Sequence, residues 1–177
     1  MSCGKSVSCY DEFPVSTVIY NLATTGGVMA LGAAVAAQFG IRLLLGYALL
    51  LAVALVGIMA TACARCEGYY GRRCGLGLGK IVPLFFKQGQ TDLYLRTPMQ
   101  FVYVILLLVA LVWPIVGGII LMARDASGWR LAQLTAAGAL LLALAAPHPR
   151  LVCRHCWQSK GGACPVGKKI QEMRGEP

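Results

Sequence analysis

Six of the eight cysteines fall into two copies of one spacing. Cys63, Cys66 and Cys74 form Cys-x2-Cys-x7-Cys with Gly77 three residues later, and Cys153, Cys156 and Cys164 repeat it with Gly167. A Cys-x2-Cys turn lets two sulfurs converge on one atom, which is why it recurs in zinc sites, iron–sulfur sites and dithiol redox centres. The third cysteine, with Gly71 or Gly161-Gly162 on the way to it, can fold back to the same centre, because glycine reaches backbone conformations that other residues resist. Each triplet is one ligand short of a four-cysteine site. Cys3 and Cys9 in the amino-terminal tail supply one each, giving two complete sites; His155 or Glu67 could also complete a site.

The segments that carry these cysteines alternate with long apolar stretches. Of the 177 residues, 58% are hydrophobic and only 13% charged, about half the charge of an ordinary soluble domain. That composition excludes a disordered chain, which needs low hydrophobicity. It also argues against nucleic-acid binding despite the net charge of +9, since the basic residues would share a surface with the apolar blocks. Four stretches match the roughly 20 residues a membrane helix needs: Val15 to Phe39, Leu43 to Ala62, Met99 to Met122 and Leu131 to Val152. Pro147 and Pro149 should kink or stop the fourth near its end. No cleavable signal peptide is expected, because Asp11-Glu12-Phe13-Pro14 leads into an apolar core too long for one. Ile81 to Lys87 is too short to span and is expected to lie in the interface.

Provided that span four ends before Arg150, thirteen of the sixteen Lys and Arg residues precede the first span, lie between spans two and three, or follow span four. Only Arg42, Arg124 and Arg130 lie at the other ends. This bias predicts cytoplasmic termini and a cytoplasmic central loop. All eight cysteines then face a reducing compartment, where such patterns serve metal binding or redox chemistry more often than structural disulfides.

The duplication extends beyond the cysteines. Gly40-Ile41-Arg42-Leu43 opens the second span and Gly128-Trp129-Arg130-Leu131 opens the fourth, each followed by an Ala/Leu-rich helix and then a triplet. The expected fold is an all-α integral membrane protein of four transmembrane helices, arranged as two tandem parallel helical hairpins. Its divisions are a tail at 1–14, a first hairpin at 15–62, a cysteine-rich loop with the interfacial segment at 63–98, a second hairpin at 99–152 and a cysteine-rich tail at 153–177. Within span one, Gly26, Ala30 and Ala34 and also Gly32, Ala36 and Gly40 recur every four residues, a spacing that lets membrane helices approach closely. Asn21, Thr24, Thr25 and Gln38 are expected to hydrogen-bond between helices.

Four short spans with the pairs Cys63/Cys66 and Cys153/Cys156 resemble the quinone-linked disulfide-forming membrane enzymes and the vitamin K epoxide reductase family. The resemblance implies thiol–disulfide exchange coupled to a quinone at the outer face. This sequence departs from it: its outer loops hold no cysteine, and the repeated third cysteine has no place in that scheme. The residues themselves point to two metal centres, iron–sulfur or zinc, in a membrane subunit of a redox assembly. Its partners would be the bilayer, other subunits at the cytoplasmic face and a quinone as candidate carrier. Cys164-Pro165 resembles the ending of some cluster motifs. The competing readings are a zinc-stabilised scaffold without catalysis and a thiol or metal-ion carrier. No phosphate loop, Ser-His-Asp set, paired carboxylates or bis-histidine haem site can be assembled.

Overall fold

The computed structural model describes residues 12–66, 74–90, 97–153 and 156. Their regular structure is entirely helical. Four helices are long and apolar enough to cross a membrane: α1 Val15–Gln38, α2 Ile41–Thr61, α4 Pro98–Arg124 and α5 Gly128–Ala145. Between α2 and α4 lies the four-residue α3, Val82–Phe85, and after α5 comes α6, His148–Leu151. The 18 residues of α5 rise about 27 Å at 1.5 Å per residue, close to the hydrocarbon thickness of about 30 Å.

The fourth span departs from its expected end at Val152. The helix stops at Ala145, and the chain turns at Ala146-Pro147 before α6 begins. Proline lacks the N–H that would continue the ladder. Helices α2, α4 and α5 also extend past the apolar cores at the opposite end, taking in Arg42, Arg124 and Arg130.

The core lies between α1 and α4, each of which packs against the other three spanning helices. Helix α1 buries Asn21, Thr24, Val28, Gly32, Val35 and Ala36 along one face. Helix α4 buries Gln100, Ala110, Pro114, Gly117, Gly118 and Leu121. In contrast, α5 buries only Ala137. Large apolar side chains such as Leu45, Leu49, Ile105 and Leu142 point outward, where lipid rather than water would meet them. Of the two small-residue stripes in α1, Gly32 and Ala36 pack in the bundle, whereas Gly26, Ala30 and Ala34 are exposed. The Tyr47 hydroxyl fills the space beside Gly32 and donates towards the carbonyls of Met29 and Ala110.

The end of the bundle away from the cysteines is closed by short turns. Gly40, at φ +113°, lets α1 turn directly into α2. Arg130 donates to the carbonyls of Leu121 and Asp125, satisfying acceptors at the end of α4, and pairs with the Asp125 carboxylate at 3.3 Å. The Arg124 guanidinium sits 5.2 Å from the Phe39 ring centre, joining the ends of α1 and α4.

Close approach of α2 and α4 depends on Gly57, where a β-carbon would collide with the ring of Tyr103. Gly57→Ala should therefore destabilise the protein by about 1–3 kcal/mol, the usual cost of overpacking. Gly26→Ala, with open space around it, should be neutral or slightly stabilising. Thermal unfolding of the two variants in detergent checks the contrast.

Candidate metal centre

The first triplet begins where α2 runs out. Cys63–Arg65 forms a 3-10 turn, and the Cys66 N–H donates to the Cys63 carbonyl at 3.1 Å. The second triplet begins in the same way, with the Cys156 N–H donating to the Cys153 carbonyl at 3.4 Å. In both copies the N–H of the second cysteine thus points back to the carbonyl of the first. Cys63, Cys66, Cys74, Cys153 and Cys156 are each half-buried.

The third cysteine of the first copy opens a second tight turn. The Gly77 N–H donates to the Cys74 carbonyl at 2.9 Å, and Gly77 has φ +72°, a conformation favouring glycine. The Cys-x2-Gly element of the sequence therefore has a geometric reason here. Space matters as well. A β-carbon at Gly77 would lie 2.7 Å from Val18 Cγ1, and one at Gly75 would lie 2.9 Å from Val152 Cγ1 and 3.5 Å from Phe13 Cε1.

Four features hold this region in place. Asn21 of α1 donates to the Gly75 carbonyl at 3.1 Å. Gln100 of α4 donates to the Thr61 carbonyl at the end of α2. Cys63 packs with Met59, Leu78 and Phe86 around buried Ala64 and Val82. The Gly89 N–H closes onto the Ala64 carbonyl at 2.8 Å. Because Gly75 touches Val152, the segments that carry the two triplets meet at one end of the bundle.

Negative charge on any one sulfur of the first triplet would oppose charge on the others, and a cation among them would reverse that sign. Among the described residues, no group of three or more His, Cys, Asp or Glu side chains converges tightly enough to hold a metal ion. Cys3, Cys9, Cys164, Glu67 and His155, the other ligands expected from the sequence, lie outside the described residues. So do Tyr69, Tyr70, Arg72 and Arg73, and Lys168 and Lys169.

No family model matches the chain, and no curated protein or solved structure matches it significantly. The site therefore stands on its own residues. Spacing alone identified the cysteines but not their supports, Phe13, Gln100 and Val152. For Asn21 a signal was present, a carboxamide in an apolar helix, but its partner Gly75 is 54 positions away.

His148, in α6, lies outside the spanning helices, and burial lowers its pKa below the ordinary 6.5. The folded state resists the imidazolium, so its contribution is complete above the ordinary value and is lost as pH falls below it. The melting temperature of the purified protein should fall between about pH 7 and 5, and His148→Gln should flatten that fall. An identical slope in both proteins would contradict this assignment.

Proposed function

We propose that the protein is a membrane-embedded module that binds metal through cysteine thiolates at the cytoplasmic face, as a subunit of a redox assembly. The duplicated triplet carries this reading. Cys63, Cys66 and Cys74 would hold one centre and Cys153, Cys156 and Cys164 the other. Cys9 and Cys3 are fourth-ligand candidates within reach, since an extended chain covers about 3.3 Å per residue.

The two halves are proposed to be parallel hairpins related by an axis along the membrane normal, as in other duplicated bundles. The packing supports this, because α1 and α4 each contact both α2 and α5, so exchanging the halves preserves the pattern. The cytoplasmic orientation rests on the distribution of Lys and Arg. Helix α3 is proposed to lie in the interface: Val82 is buried, while Ile81, Leu84 and Phe85 are exposed and available to acyl chains. A quinone in the bilayer and soluble subunits beyond it are the partners this position allows.

A zinc-stabilised scaffold is the second reading. The observation favouring it is the packing of Cys63 against the small core around Ala64 and Val82, which would tie a ligand of a four-coordinate structural zinc site into the fold. Metal analysis of protein purified without oxygen separates the readings. A cluster gives visible colour, iron and acid-labile sulfide in all-protein sulfur ligation. Zinc gives a colourless protein with about one metal per site. Protein devoid of both, with gel mobility sensitive to reductant, would overturn the metal reading in favour of thiol exchange.

Replacing Cys3 and Cys9 together by Ser should weaken both centres; unchanged metal content would assign the fourth ligands elsewhere. A reporter fused after Pro177 should read cytoplasmic and one inserted at Ser127 external. The reverse topology would place the cysteines in an oxidising compartment and favour disulfide chemistry.

A further inference from the structure

Asn21 is only 1% exposed, within a helix whose apolar residues otherwise face its neighbours or lipid. A buried carboxamide is costly unless its donors are met. One partner of its Nδ2 lies in its own helix, the Thr17 carbonyl at 2.9 Å. The other is the Gly75 carbonyl, directly after Cys74. The amide group thus meets both its N–H donors' needs, and one of those bonds joins α1 to the turn that carries the third cysteine of the first triplet.

The turn is constrained on every side described. Gly77 fixes its far end through the Cys74 carbonyl. Val18 lies against Gly77, and Val152 and Phe13 against Gly75, leaving no room for a β-carbon beside Val18 or Val152. Packing of this kind limits where the turn can sit, but it has no directional preference along α1. The hydrogen bond supplies that direction. Thr24, one turn further along the same buried face, bonds only to Tyr20 and Asn21 of its own helix, so it anchors nothing beyond α1.

We infer that Asn21 is a positioning residue for the first triplet, holding the Cys74–Gly77 turn in register with Cys63 and Cys66. This deepens the metal reading, but the position of Cys74 can be tested without any metal. The test follows alkylation of the full-length chain by an uncharged maleimide after metal is stripped with chelator, with rates resolved for each cysteine by peptide mass analysis.

Asn21→Leu and Asn21→Ala both remove the N–H donor. Each should accelerate modification of Cys74 about five-fold, the ratio that one lost hydrogen bond corresponds to, while Cys63 and Cys153 change little. Thr24→Val should leave all three rates unchanged. An unaltered Cys74 rate would overturn the assignment, and so would equal acceleration of all the cysteines, which would make Asn21 a determinant of the whole fold. A parallel titration with Co2+ reads the thiolate absorption band. The Asn21 variants should bind more weakly than the wild type at the first triplet. If the wild type gives no band, the metal reading fails while the alkylation result still decides the role of Asn21.

Discussion

Hydrocarbon offers no partner for a backbone N–H or carbonyl, so a chain that crosses it must satisfy those groups within itself. Four continuous helices meet that demand, and it governs the rest of the molecule. Irregular backbone is confined to the ends of the bundle. At one end the turns are as short as Phe39-Gly40 and are sealed by Arg130 and Asp125. At the other end the chain is longer and carries the cysteines. The carbonyls buried there need donors, and Asn21 and Gln100, the two most polar side chains of the buried core, supply them to Gly75 and Thr61.

The same constraint explains why α1 and α4 are central. They hold the buried polar residues, and they carry small residues where other helices approach: Gly32 beside Tyr47, Gly117 beside Val35, Gly118 beside Leu134. Helix α5 needs little of this. It contributes few buried side chains because lipid can cover most of its surface. Burial within the protein is therefore a poor guide to hydrophobicity in this chain, and Leu142, 69% exposed, is in its proper solvent.

Much of this was legible from residue types. The four spans follow from apolar length, and the stop near Pro147 follows from proline's missing donor. The matching backbone hydrogen bonds from Cys66 to Cys63 and from Cys156 to Cys153 follow from identical spacing. What could not be read locally is what depends on contacts distant in sequence. Asn21 reads as helix glue until Gly75 is placed against it. Of two equivalent small-residue stripes in α1, only the geometry of α2 and α4 selects the one that packs. Both triplets were expected at one face, but the close approach of Gly75 to Val152 beside them was not readable from spacing. The tail cysteines, Cys164, Glu67 and His155 lie outside the described residues, so their spacing remains the whole argument for them.

The central claim is that thiolates of this chain bind metal, and it is tested most directly by X-ray absorption at the metal edge on protein purified without oxygen. Cysteine ligation predicts a first shell of sulfur near 2.3 Å for zinc, or sulfur with a second iron shell for a cluster, lost when Cys63, Cys66, Cys153 and Cys156 are replaced by Ser. A first shell of oxygen or nitrogen alone, or a sulfur shell that survives those replacements, would contradict the account.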